Sequence, residues 1–275
     1  TGANKGLGLS LVRALCREWG QEARIYLMAR DEAKGLEARR QLEREGLRPL
    51  FCHLDLTDQK SIEAAAQRIG AEQGGLDLLV QNGAYAALPD RPSKEQVRVM
   101  IQTNNHGTHR VLRAFRSLLL PGSRVLVVAS GFGTLKSLDP SLHARFDTER
   151  SDFDQLERVL DDYVKAVESD RASSEKWPDW INIASKVGQV AAMRIFARQL
   201  ATDPATPPGI LVNAVCPGWL ITDASRPYLK DLPPDVKPKM PDDAVHDVLW
   251  AGLLPSGTTE PYGELVQYRR VLPWN

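Results

Sequence analysis

Apolar positions along this chain switch repeatedly between a helical period and short unbroken runs. Leu7, Leu11, Val12, Ala14 and Leu15 follow the helical period and predict a helix over about 8–19. The run Arg24-Ile25-Tyr26-Leu27-Met28 predicts a strand. Asp31 reads as the N-cap of a helix over 32–45, and Gly46 ends it. A strand at 50–54 follows, then a helix capped by Thr57 or Asp58 and carrying Ile62, Ala65 and Ile69. Residues 76–80 predict a strand and about 94–120 a long helix. Residues 124–129 are almost continuously apolar, as a strand buried on both faces requires. Further strands are expected at 210–215 and 264–268.

This alternation predicts right-handed βαβ crossovers and a doubly wound, Rossmann-type α/β fold, a parallel sheet with helices on both faces. No linker divides it, so residues 1–275 are read as a single domain. Residues 133–176 break the rhythm: they are charged, contain no strand, and carry one helix at 153–168. They read as an insertion lying over one face or rim. The chain opens at Thr1-Gly2-Ala3, inside a turn of a kind that ordinarily follows a buried strand. A first strand is therefore expected upstream of residue 1, and the sheet as written is expected to lack its central member.

Composition narrows the function classes. Lys+Arg and Asp+Glu are 35 each, so the net charge is zero, which speaks against a broad nucleic-acid or anionic-membrane surface. Hydrophobic residues at 43% and charged residues at 25% suit a water-soluble globular chain. Cys16, Cys52 and Cys216 are spaced too widely for a disulfide framework or a zinc site and read as reduced thiols of a cytoplasmic protein. No apolar run reaches the length of a membrane span, and no signal peptide opens the chain. His106 and His109 have a metal-compatible spacing but no third ligand, so no metal is expected.

The chemistry starts at Thr1-Gly2-Ala3-Asn4-Lys5-Gly6-Leu7-Gly8, which runs directly into a helix. Glycines let main chain approach a pyrophosphate, and the helix N-terminus offers unpaired N–H groups and partial positive charge. The cradle would comprise Gly2, Asn4, Lys5, Gly6, Leu7 and Gly8. Its spacing resembles the Thr-Gly-x3-Gly-x-Gly motif of the classical short-chain dehydrogenase/reductase family. The resemblance continues in order through Gln81-Asn82-Gly83-Ala84, Thr103-Asn104, Val128-Ala129-Ser130, Cys216-Pro217-Gly218-Trp219 and Thr222-Asp223. Asn4-Lys5-Gly6, Ala29-Arg30-Asp31, Cys-Pro-Gly-Trp and the long insertion are similar to the carbonyl reductase branch. In that branch the insertion covers the surface that other members use for tetramers, which implies a monomer.

The resemblance implies a nicotinamide dinucleotide. The expected cofactor is NADP(H), because Arg30 after the second strand and Lys5 on the turn suit a 2′-phosphate, and Asp31 is read as a cap pointing away. Leu54 and Asp55 would border the adenine, and Asn82 with Gly83 the adjoining ribose. Pro217, Gly218 and Thr222 would hold the nicotinamide half.

The family implies a Tyr-x3-Lys pair in which tyrosine protonates the substrate oxygen and lysine binds the nicotinamide ribose. Here Trp180-Ile181-Asn182-Ile183-Ala184-Ser185-Lys186 supplies Lys186 but places Asn182 at the tyrosine position. Tyr163 has the wrong spacing and lies in the insertion. An asparagine donates a hydrogen bond but is no proton source near neutral pH. Its catalytic set would be Ser130, Asn182, Lys186 and Asn104, with water held by Lys186 and Asn104 as proton donor. Phe132, Trp180 and Trp219, with Tyr85, would wall a cleft for a small organic substrate. Three readings follow. The first is an NADPH-dependent reductase of a ketone, aldehyde or quinone with an altered proton relay. The second is an imine or iminium reductase; an iminium carbon accepts hydride without needing a proton, because the product amine is neutral. The third is a repurposed NADP(H)-binding fold, a regulator or a non-redox enzyme such as a cyclase.

Overall fold

The computed structural model describes residues 1–275. Helix α1 (Gly6–Trp19) leads into strand β1 (Tyr26–Ala29), α2 (Glu32–Arg44), β2 (Leu50–His53), α3 (Gln59–Gln73) and β3 (Leu76–Gln81). Helices α4 (Ser93–Ile101) and α5 (Gly107–Phe115) are joined by one π-helical turn, Gln102–His106. Strand β4 (Leu119–Val128), α6 (Phe153–Glu168), α7 (Ile181–Thr202), β5 (Leu211–Cys216), α8 (Pro241–Leu249), β6 (Leu265–Gln267) and β7 (Arg270–Leu272) complete the chain. The caps are as local chemistry dictates. Asp31 accepts from the Lys34 N–H and Asp58 from the Lys60 N–H, while Asp152 and Gln155 form a reciprocal capping box on α6.

The architecture is α/β with parallel strands between helical layers, in two sheets. One pairs β1 with β2; the other runs β3-β4-β5-β6-β7, all parallel except β7. Between β1 and β3, which do not pair, lies a gap of about 360 Å³ lined by Leu11, Leu15, Tyr26, Met28, Leu79 and Val80, among others, and not by Ser130, Asn182 or Lys186. At its carboxyl end the first residues tie the sheets together: the Thr1 amino group donates to Val80 O (2.8 Å) and Ala3 N–H to Met28 O (2.9 Å). No helix is long and apolar enough to cross a membrane.

Three sequence expectations are corrected. The long helix stops at Phe115, and β4 begins at Leu119 where a helix had been expected through 120. Pro121 disfavours helical backbone at Leu120, and Leu119 pairs instead with Leu76. The strand expected last, at 264–268, is Leu265–Gln267, and a hairpin through Tyr268 and Arg269, both at positive φ (49° and 63°), leads on to β7. Neither residue type announces such a turn. The insertion does not merely lie over a face. Its α6 packs on α4 and α7, and Tyr163 is 0% exposed within the main core. Helix α7 is buried on most sides, leaving Asn182 and Lys186, one turn apart, half-exposed on the same flank.

Candidate active site

The glycine-rich turn is built as close main-chain packing. Gly2 has φ +62°, and a Cβ there would lie 2.5 Å from Gly83 Cα; one on Gly8 would lie 2.4 Å from Gly2 O. Gly6, at φ +55°, has only the Thr222 methyl within reach of a Cβ, at 3.7 Å, so its outer side is open. No acidic residue occupies the first turn of α1, and Lys5 supplies no side-chain cap. The helix N-terminus is thus left for an external anion, and the cradle fits a dinucleotide pyrophosphate. Thr1 Oγ1 accepts from Asn82 N (3.1 Å) and Gly83 N (2.9 Å), and Asn82 Nδ2 donates to Thr1 O (3.0 Å). Asn82 therefore fastens β3 to the turn.

Two cations flank this turn. Arg30 follows β1, its side chain largely exposed, with Nε 4.0 Å from Asp55 Oδ2. Lys5 Nζ donates to Asp223 Oδ2 at 2.9 Å, linking the turn to the residue after Thr222, both side chains largely exposed. Asp55 also accepts from the Thr57 N–H and hydroxyl. Leu54 is buried, which leaves little of it to face a ligand.

At the other end, the loop after β4 packs on the first turns of α7: a Cβ on Gly133 would lie 3.0 Å from Lys186 O. Ser130 Oγ accepts only a long bond from Phe132 N (3.3 Å), leaving its proton free. The Asn182 side chain makes no hydrogen bond within the protein, so both its amide N–H groups are available to a ligand. Lys186 Nζ donates to Gln189 Oε1 (2.8 Å), and burial pulls its pKa down to about 8. Asn104 is spent internally. Its Oδ1 accepts from Tyr85 N (2.7 Å), and its Nδ2 donates to Tyr85 O (3.1 Å) and Ser185 Oγ (3.1 Å). The main-chain O of Asn104 accepts from the Thr108 hydroxyl (2.6 Å).

Pro217-Gly218 turns at φ +75°, and Thr222 closes a small turn with Ser225 (Thr222 N to Ser225 Oγ, 3.0 Å). Phe132 meets Trp180 edge-on at 5.4 Å and Trp219 at 6.5 Å, so the three predicted wall residues form one cluster. Tyr228 extends it, 5.5 Å from Trp180, with its hydroxyl donating to Ala87 O (2.8 Å). Tyr85 is tied to Gln96 Oε1 (3.1 Å). The sequence reading missed Tyr228, which lies beyond any recognised motif. It also missed Gln189, whose i+3 spacing from Lys186 was a readable signal.

Residues 1–140 match the family model described as short chain dehydrogenase. Over its whole length the chain is 34% identical to carbonyl reductase [NADPH] 1 of Rattus norvegicus and 35% identical to that of Bos taurus, covering 96% of each. Among solved structures, salutaridine reductase from Papaver somniferum superposes with a TM-score of 0.82 at 21% identity, over 96% of this chain and 97% of that one. Menthone neomenthol reductase from Mentha piperita gives 0.77 at 23%, over 98% and 97%.

Proposed function

The chain belongs to the short-chain dehydrogenase family, and from that premise we propose that it is an NADPH-dependent reductase of ketones, aldehydes or quinones with an altered proton relay. The carrying observation is that the Ser130 hydroxyl keeps a free proton and the Asn182 amide is unpaired, while the loop that follows Ser130 packs on the turn of α7 that carries Lys186. The bound nicotinamide supplies hydride. The protein then has to orient a carbonyl and stabilise the charge developing on its oxygen. Ser130 and Asn182 can each direct one donor at that oxygen. Phe132, Trp180, Trp219 and Tyr228 supply an apolar wall that excludes water.

Gly2, Asn4, Lys5, Gly6, Leu7 and Gly8 would hold the pyrophosphate. Lys5 and Arg30 would hold the 2′-phosphate, giving up Asp223 and Asp55 as they do. Pro217, Gly218 and Thr222 would hold the nicotinamide half, and Lys186 its ribose. Because the Asn104 side chain is fully engaged, the water that supplies the proton is assigned to Lys186, whose lowered pKa suits proton transfer near neutrality.

A second reading has its own support. A cyclic iminium carbon accepts hydride to give a neutral amine and consumes no proton, so Asn182 costs that reaction little. The test is NADPH oxidation followed optically against quinones, aldehydes, ketones and cyclic imines. Turnover of carbonyls supports the first reading and turnover of imines alone supports the second. Tight NADPH binding with no turnover of any class would overturn both.

A further inference from the structure

Two distant segments and the turn that directly follows Cys216 converge on its one buried sulfur. Cys216 is the last residue of β5 and is 4% exposed. Its Sγ accepts from the Gly131 main-chain N–H (3.0 Å), the Gly218 main-chain N–H (3.4 Å) and Gln267 Nε2 (3.2 Å). Gly131 begins the turn after Ser130. Gly218 belongs to the Pro-Gly turn. Gln267 ends β6. No other acceptor in the protein is paired with any of these three donors: Gly218 and Gln267 are half-buried and Gly131 is exposed, and the buried sulfur is the acceptor they share.

The surroundings make this more than the packing of a small apolar side chain. Gly218 is confined from its other side, where a Cβ would lie 2.4 Å from the Tyr268 hydroxyl. A Cβ on Gly131 would have Gln267 Oε1 at 3.7 Å and Cys216 Sγ at 4.0 Å as its nearest neighbours. Direct main-chain pairing between these strands ends at Ala129 N–H to Val215 O (2.9 Å); beyond it the Ser130 loop and the Pro-Gly turn share no direct hydrogen bond, and the sulfur is their common anchor. Lys186 lies close enough for its charge to favour the thiolate, while burial pushes the Cys216 thiol pKa up.

We propose that Cys216 is a positioning residue: its sulfur sets the spacing between the Ser130 loop and the Pro217-Gly218 turn, and so shapes the pocket for the nicotinamide half of the cofactor. The proposal rests on the reading of this region as an NADPH site. It predicts that a side chain of similar bulk without an acceptor will not serve, and that a hydroxyl will.

The experiment uses the full chain and its Cys216→Ala, Cys216→Val and Cys216→Ser variants. NADPH affinity is read from nicotinamide fluorescence and 2′,5′-ADP affinity from calorimetry, with thermal unfolding recorded for each variant. Ala and Val should weaken NADPH by about tenfold or more while leaving 2′,5′-ADP, which lacks the nicotinamide, within about twofold. Ser should return NADPH to within about threefold of the parent. Equal weakening of both ligands, no weakening of either, or a Ser variant no better than Ala would each overturn the proposal. A parent chain that binds neither ligand would instead remove the cofactor reading on which it stands.

Discussion

Replacing Asn182 by tyrosine should restore the missing proton donor. Position 182 sits in the first turn of α7, half-exposed, with no protein hydrogen bond to lose. Lys186 lies one helical turn further along the same flank. Its ammonium would lower the pKa of a phenol placed there and leave that phenol poised to donate. A positioned general acid contributes about 10²–10⁴-fold, or about 2.7–5.4 kcal/mol of barrier. Fitting the larger ring into a site built for asparagine will consume part of this, so about 10- to 100-fold in kcat with a quinone is the expected gain. The assay is steady-state NADPH oxidation from pH 6 to 9, with a cyclic iminium salt as the control substrate. The gain should fade above about pH 8, where Lys186 loses its charge. Iminium reduction, which takes up no proton, should not accelerate. A folded, NADPH-binding Asn182→Tyr variant with kcat within about threefold of the parent would refute the assignment of position 182 to proton delivery.

Other outcomes follow from the same geometry. Lys186→Ala should weaken NADPH binding by about tenfold in a fluorescence titration, because Lys186 is assigned to the nicotinamide ribose. Asp223→Asn should free Lys5 and tighten NADPH by about two- to fivefold while leaving NADH unchanged, since an exposed pair is a weak competitor. Lys5→Ala should do the reverse, weakening NADPH more than NADH, both read by calorimetry. Burial lowers the pKa of His106 and His109, so the unfolded chain binds more protons than the native one below about pH 6.5. Their contribution is present above that pH and lost as it falls, and the thermal midpoint should drop as pH falls below about 6.5. His109→Gln should flatten that drop.

Local signals were legible in the sequence wherever neighbouring residues decide the outcome. The glycine spacing into α1, the Asp31 cap and the full extent of α6 are set within a few residues, and periodicity or cap chemistry exposes them. The pieces that escaped depend on contacts far along the chain. Leu119 is extended because it pairs with Leu76, and β7 exists because Leu272 pairs with Leu265. Lys5 faces Asp223, 218 positions away. Cys216 read only as a reduced thiol because two of its three donors, Gly131 and Gln267, lie far along the chain. The aromatic wall was readable in part, since Phe132, Trp180 and Trp219 flank recognisable motifs and Tyr228 flanks none.

The π-helical turn at Gln102–His106 changes the phase of the helix it interrupts. Residues in a regular helix step by about 100°, so adjacent side chains diverge. Yet Asn104 Nδ2 donates to Ser185 Oγ at 3.1 Å and Asn105 Nδ2 to Ser185 O at 2.8 Å, two neighbours reaching one residue of α7. A wide turn behaves as one residue inserted into an ordinary helix. Deleting a single residue there would rotate everything downstream. His109 would leave the Phe153 ring it stacks on, 4.9 Å between centroids, and Arg110 would turn toward the core in its place. The segment therefore tolerates exchange of side chains far better than any change in its length.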